Sequence, residues 1–463
     1  MSKMKAITLA QAAESMGGKL IGGGEETVIQ KVVMDSRLDA EGALFVAIAG
    51  ARADGHDFVP GVLARGAICC LVEREIADAP GAQILVDSTL EAVKALAGYY
   101  RQLFDIPFIG ITGSVGKTST KEMLAATLSA KFHVHKTEGN LNNELGVPMT
   151  LLALRPEHEV AVIEMGISDF GEMTRLTDMV RPDIAIITII GYAHLDNLGD
   201  RAGVYKAKTE IFHGLTPHGT ALLNGDDDML RDCKVTDISP DKTTVKRLLY
   251  GLDSTNDYRA ADIVSHGESG TSCTFSWDNT ALNVNIPAFG TPFVYAALAS
   301  AAVGRSLGMT AEEIAQGIAS FHTVQGRANV IQTEKFTIID DCYNANPSSV
   351  RASITSLTDL PGRRVAILGD MKELGLDAEA LHRDMGTHAA DCGIDCLIAI
   401  GEMSKYTCES AKAERSTLEV LYFTEKADAL EVLPTILKPG DQILVKASRS
   451  GRFEEIVEAL KTL

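Results

Sequence analysis

The chain has 463 residues, with 43 Lys plus Arg against 62 Asp plus Glu, a formal net charge of −19, and 46% hydrophobic and 23% charged residues. Those fractions describe a folded globular protein rather than a disordered one, and the length predicts about three domains at roughly 100 to 200 residues each. A charge this negative excludes a general phosphate-backbone binder, so no nucleic-acid partner is expected and any anionic ligand must be held by a local site.

No run approaches the roughly eighteen apolar residues of a membrane helix, the longest being stretches such as Ile184 to Ile190, so no membrane span is expected. Lys3 and Lys5 precede an apolar stretch that Gln11 and Glu14 interrupt at once, which argues against a secretory signal. Thr8 with Gln11 reads as a capping box opening a short helix that stops at Gly17-Gly18. The runs 44–50, 67–72 and 83–86 then suggest a small α/β domain. IPFIGIT (106–112) is a continuous apolar run of the kind found in a strand buried on both faces, followed by a glycine-rich turn and the helical KTSTKEMLAATLSAKF. Further buried strands are expected at 159–165, 183–190 and 219–224, a mostly parallel sheet covered by helices. Residues 245–288 alternate in short segments that read as antiparallel strands, and an alanine-rich helix from Val294 to Leu307 closes the block. A second α/β series follows at 336–340, 363–370, 396–401 and 441–448. The expected fold is α/β in three domains: a small N-terminal α/β domain (1–103), a central P-loop domain with a mostly parallel sheet (104–325) and a C-terminal Rossmann-like α/β domain (326–463). The eight cysteines contain no CxxC pair, which predicts reduced thiols and a cytoplasmic location, and Cys392, Cys396 and His388 match no structural zinc spacing.

The sharpest chemical signal is TGSVGKTST, Thr112 to Thr120, between a buried strand and a helix start. Glycine lets backbone N–H groups approach phosphate, the helix N-terminus favours anionic charge, Lys117 supplies a point charge, and the Thr118 hydroxyl can reach Mg²⁺. The loop is a shortened GxxGKT, because Ile111 stands where the longer pattern has its first glycine. Glu164 ends the strand-like AVIEM, where a metal ligand commonly stands beside a P-loop, and His194 follows the next strand. Lys206 and Lys208, on a helix, read by themselves as a solvated face. TEGNLNNELGVP (137–148) crowds side-chain amides beside glycine. Arg327 opens the last domain as an ion-pair partner or a phosphate clamp, and Asp340 and Asp341 end its first strand, a ligand-binding position in α/β sheets.

Taken in order, these motifs resemble the Mur ligase family of ATP-dependent amino-acid and peptide ligases, across essentially the whole chain. DSR (35–37), DGHDF (54–58), GNLNNELGVPMTLL, AKTEIF, DDCYNANP and GDMKELG (369–375) are similar to the branch that joins D-Ala-D-Ala to UDP-MurNAc-tripeptide, giving the pentapeptide precursor of peptidoglycan in the cytoplasm, with ADP and phosphate. The resemblance implies an N-terminal UDP-substrate domain, a central ATP domain and a C-terminal ligase domain, working as a monomer. It implies that Thr112, Gly113, Ser114, Val115, Gly116, Lys117 and Thr118 hold the ATP phosphates, with Arg327 and Asp341 reaching the nucleotide from the C-terminal domain. Thr118, Glu164, His194 and Lys208 would surround two Mg²⁺ ions, Lys208 as a CO₂-derived carbamate, which replaces the solvated-face reading. Lys117, Lys208, His194 and Glu164 would be the catalytic set. Ser36, Arg37, Asp54, His56, Asn140, Asn142, Asn143, Tyr343, Asn344, Lys446, Ser448 and Arg449 would meet the substrates. In one departure, Pro292, Phe293 and Ala296 stand where the family often has a His-Asn pair and a later Asn near adenine, so base contacts through Phe293 or Tyr295 are expected. The alternatives are another ligase of the superfamily, MurE-like or folylpolyglutamate synthase-like, and a P-loop regulator that binds nucleotide without forming an amide.

Overall fold

The computed structural model describes residues 4–50, 53–77 and 79–463. Three sheets, of five, nine and six strands, follow one another along the chain. In the N-terminal sheet four strands run parallel and the edge strand Lys19–Ile21 pairs antiparallel with Ala82–Leu85. The expected capping box is present at Thr8 and Gln11, opening the helix Leu9–Ser15. Among the described residues, no helix is long and apolar enough to cross a membrane.

The central sheet is built around Phe108–Thr112, every residue of which is buried. It lies between Val160–Glu164 on one side and Ile184–Ile187 on the other, both parallel to it. The chain thus switches sides at this strand, and ligands of open α/β sheets bind in the crevice beyond the carboxyl ends at such a point. Register sets the levels there: Ile111 pairs with Glu164, and Thr112 with Ile187. The helix Lys117–Ser129 then packs against Thr291–Ser306. Met123, Leu124 and Leu128 meet Val294, Ala297, Leu298 and Ala301 in one core, and each such leucine contributes about 1.5–3 kcal/mol by leaving water.

Two differences from the sequence reading have local causes. Tyr250 and Gly251 belong to Lys246–Gly251, which pairs parallel with both neighbours, so antiparallel pairing begins only between Tyr258–Ser265 and Thr271–Trp277. Leu248 and Tyr250 are buried, which extends the parallel core one strand further than alternation suggested. The alanine-rich helix starts at Thr291, three residues early, because Pro292 is compatible with a first turn where its missing N–H costs nothing.

The C-terminal sheet has five parallel strands, with Asn329–Gln332 added antiparallel at one edge. All eight cysteines are free thiols. Cys396 is buried within a strand and Cys392 Sγ lies 3.4 Å from His388 Nε2.

Candidate functional site

The turn after Phe108–Thr112 is shaped by two glycines. Gly113 has φ +147°, and a Cβ there would overlap the Thr188 hydroxyl; Gly116 has φ +84° and precedes the helix that begins at Lys117. Thr188 Oγ1 donates to the Val115 carbonyl at 2.5 Å, while Ser114 Oγ accepts from Gly191 N at 2.9 Å, so the next strand end fastens the loop from behind. Lys117 Nζ folds back onto the Gly113 carbonyl at 2.8 Å. A tight glycine turn that opens directly into a helix N-terminus is the geometry of a phosphate cradle.

Glu164 is 1% exposed. Its Oε1 accepts from Asn142 Nδ2 at 2.7 Å and from the Thr118 hydroxyl at 3.2 Å, while Oε2 has no hydrogen-bond partner. A buried carboxylate oxygen without a donor is costly unless something else meets it. Lys121 Nζ is 3.8 Å from Oε2 and 3.0 Å from Glu122, Lys117 interacts with the Glu164 charge, and Arg327 and Lys208 stand in turn beside Lys117. Lys208 is 1% exposed, with no side-chain hydrogen bond or ion pair among the described residues, so the solvated-face reading of this lysine fails. Lys206, two residues earlier, is exposed, its ammonium 5.6 Å from the Phe170 ring centroid. Burial holds Lys208 well below its ordinary range, with Lys117 adding to the effect; burial also lowers Lys117, Arg327 adding and Glu164 opposing. Lys117 and Arg327, half-buried and without a carboxylate hydrogen-bonded to either, fit a polyphosphate between them.

A divalent cation fits the same place. The unpartnered Glu164 oxygen, the Thr118 hydroxyl and the His194 ring are oxygen and nitrogen donors suited to Mg²⁺, though no group of three His, Cys, Asp or Glu forms a protein-only cage among the described residues. Phosphate oxygens and water would complete the coordination. His194 has φ +54°, and its Nδ1 lies 2.6 Å from Glu373 Oε2. Burial lowers its basicity, Glu373 opposing and Lys208 and Lys117 adding.

The C-terminal domain closes over this corner. Arg327 Nη2 donates to Thr118 Oγ1 at 3.3 Å, with its guanidinium 3.8 Å from the Tyr343 ring centroid, and Asn346 Nδ2 donates to the Ser114 carbonyl at 3.4 Å. The Arg327 turn is pinned by Asp340, which accepts from Gly326 N, and Asp341, which accepts from Ala328 N. Lys446 lies 2.5 Å from Asp341 Oδ2. Together these residues line a cavity of about 350 Å³ that contains Ser114 to Thr118, Asn140, Asn142, Glu164, His194, Arg327, Asp341, Tyr343, Asn344 and Lys446. Phe293 lines it too, packed on Phe321 at 5.7 Å, whereas Tyr295 does not and bonds Asp226 at 2.8 Å. Of the two aromatic residues expected near the base, the structure brings only Phe293 to the cavity.

Other expected residues stand elsewhere. Thr112 is buried at the strand end, its hydroxyl without a partner. Asn143 Oδ1 accepts from Leu145 N and Gly146 N and so shapes the start of the next helix. Ser448 is buried, accepting from Lys372 N, and Arg449 is exposed beside Glu454. In the N-terminal domain Asp35, Ser36 and Arg37 line a separate groove with Phe45 and Phe58. His56 is buried there, its Nδ1 2.6 Å from Asp54 Oδ1 and its Nε2 accepting from Glu73 N, so both ring nitrogens are used in holding the loop. Residues not singled out from sequence are Lys121, Thr188, Asn346 and Glu373. Lys121 could have been found four residues after Lys117, on one helix face.

Three family models match successive parts of the chain: the Mur ligase family catalytic domain over residues 28–101, the Mur ligase middle domain over 111–304, and the Mur ligase glutamate ligase domain over 326–449. A Bacillus subtilis (strain 168) protein named UDP-N-acetylmuramoyl-tripeptide--D-alanyl-D-alanine ligase is 37% identical over 460 residues, 98% of either chain. The chain belongs to the Mur ligase family. Among solved Mur ligases, MurF from Acinetobacter baumannii superposes with a TM-score of 0.90 at 32% identity, over all of both chains. MurF ligase from Thermotoga maritima, solved in complex with ADP, gives 0.82 at 29% identity over 94% of this chain and 97% of its own. The family and the three-part α/β architecture read from the motifs are therefore borne out.

Proposed function

We propose that this Mur ligase joins D-Ala-D-Ala to UDP-MurNAc-tripeptide at the expense of ATP, making the pentapeptide precursor of peptidoglycan. The observation that carries the reading is one cavity that gathers the phosphate loop, Glu164, His194 and the Arg327 clamp from two domains, in a chain matched end to end by ligases of that name. Residues 1–103 would present the UDP substrate through the groove at Asp35 to Arg37, 104–325 would hold ATP, and 326–463 would bring Arg327 and the second substrate's surroundings. All of these come from one chain, which supports action as a monomer, and the free thiols suit a cytoplasmic setting.

A carboxylate is a poor electrophile until an oxygen becomes a good leaving group. The tripeptide's terminal carboxylate oxygen attacks the γ-phosphorus and the β–γ bridging P–O bond breaks, giving an acyl phosphate and ADP. The D-Ala-D-Ala amine then attacks the acyl carbon, the C–O bond to phosphate breaks, and the amine loses a proton. Lys117 and Arg327 offset the charge spread over the transferring phosphoryl group, a task of positioning and electrostatics. Bound Mg²⁺ would act as a Lewis acid at the phosphate oxygens. Glu164, the Thr118 hydroxyl and His194 would hold it, and Asn142 fixes the Glu164 rotamer.

Lys208 is read as the carbamate: its neutral amine, favoured by burial, adds CO₂ and releases one proton, placing an anion beside Lys117. Support comes from its burial and its missing counter-ion. The test is phosphate release from MgATP with UDP-MurNAc-tripeptide, with and without D-Ala-D-Ala, and the product mass. Release that needs both substrates and yields the pentapeptide mass is expected; no release with either the diaminopimelate or the lysine tripeptide overturns the substrate assignment.

A further inference from the structure

His194 and Glu373 are both non-glycine residues in the left-handed region, at φ +54° and +61°, on opposing loops of the central and C-terminal domains. Two bonds join them: Leu195 N donates to the Glu373 carbonyl at 3.0 Å, and His194 Nδ1 meets Glu373 Oε2 at 2.6 Å. The Glu373 side chain is 58% exposed, so packing does not require a carboxylate there. The His194 ring lines the cavity beside Lys117, Thr118 and Glu164.

We infer that Glu373 is a positioning residue which, on docking of the C-terminal domain, fixes the His194 ring so that Nε2 is the nitrogen offered to the divalent ion of the nucleotide; this rests on the reading of His194 as a metal ligand. An aspartate or glutamate that accepts from Nδ1–H selects the tautomer with a lone pair on Nε2 and holds the ring plane. Here the carboxylate comes from a different domain than the other proposed ligands, Thr118 and Glu164. The ring is therefore oriented only while the two loops are in contact, which ties metal binding to domain docking. The backbone bond from Leu195 involves no side-chain atom of Glu373 and survives its substitution, and a replacement that keeps Cβ leaves the backbone strain unchanged. Carboxylate loss can thus be separated from loop collapse.

The experiment uses the full chain with Mn²⁺ and the non-hydrolysable ATP analogue AMPPCP, read by electron spin echo modulation for a histidine nitrogen on Mn²⁺, with calorimetric titration for affinity. The parent should show a nitrogen modulation that His194→Ala removes. Glu373→Gln, whose amide oxygen still accepts from Nδ1–H, should keep it. Glu373→Ala should lose it and bind Mn²⁺-AMPPCP about 10- to 100-fold more weakly, the usual effect of removing such a partner, at an unchanged thermal midpoint. A Glu373→Ala chain that retains both the modulation and the affinity overturns the inference while leaving His194 as a ligand, and equal loss in Glu373→Gln also counts against it. A parent with no modulation traceable to His194 overturns the inference together with the ligand assignment it rests on.

Discussion

Replacing Gly113 by alanine tests the phosphate cradle at its tightest point. The new Cβ would overlap Thr188 Oγ1 and stand 3.1 Å from Thr188 Cβ. Thr188 cannot simply turn away, because its hydroxyl bridges to Val115 O at 2.5 Å and Thr112 O at 3.3 Å. At φ +147° the backbone conformation itself costs an alanine about 1–3 kcal/mol. Overpacking adds about 1–3 kcal/mol. If the loop relieves these by shifting, a loss of about 2–6 kcal/mol appears as ADP affinity weakened roughly 30- to 20,000-fold. Calorimetric titration of ADP into four chains, the parent, Gly113→Ala, Thr188→Ala and the pair, separates the two contributions. The double variant removes the clash and leaves the φ cost, so a coupling of about 1–3 kcal/mol is expected. If Gly113→Ala binds ADP within about twofold of the parent, or the double variant recovers nothing, the steric reasoning is refuted.

Three further outcomes follow from the same geometry. Lys117→Met should lower kcat about 10²–10³-fold, as the loss of one donor to transition-state charge does, and stopped-flow phosphate release with unchanged turnover would exclude the assignment. Lys208→Ala should be inactive and partly restored by a short-chain carboxylic acid, so full activity in initial-rate assays without the acid would remove the carbamate. His135 is buried with Nε2 at 2.7 Å from the Thr150 carbonyl, and burial pushes it down to about 4. The unfolded chain binds its proton near pH 6.5, so His135 contributes stability that is full above that value and lost as pH falls towards 4, up to about 3 kcal/mol. Urea midpoints of His135→Gln should fall less than the parent's between pH 7 and pH 4.5 (about 2.5 units); parallel slopes would contradict the shift.

Much of this was legible along the chain because it is local. The strand, loop and helix at Phe108 to Ser129 are marked by an apolar run and two glycines before a helical stretch, and each operates within a few residues. Glu164 could be placed because a strand end beside the loop has few uses. Lys208 is the opposite case: in the short helix Arg201–Thr209 nothing nearby distinguishes it from exposed Lys206, and only the packed domain buries it. The same holds for Asn346, Glu373 and the Arg327 contact with Thr118, which lies across 209 residues of sequence. Of the alternatives Phe293 and Tyr295, two residues or about 200° apart around one helix, the face turned to the cavity carries Phe293 and leaves Tyr295 on Asp226.

The charges also explain why nucleotide and closure belong together. Burial is the main cause of the lowered basicity of Lys117, Glu164 opposes it, and Arg327 adds to it from the C-terminal domain, so docking sets one cation near another. Among the described residues the hydrogen bonds across the same gap are Asn346 to Ser114, Arg327 to Thr118, Leu195 to the Glu373 carbonyl and the His194–Glu373 pair, with Phe289 packed into the C-terminal core. A triphosphate between Lys117 and Arg327 would offset their mutual repulsion, so docking of the C-terminal domain is expected to be tighter with ATP bound. Closure that follows ATP would let the tripeptide carboxylate meet the γ-phosphate in a space shut to water, and equal small-angle scattering profiles with and without ATP and UDP substrate would count against that order.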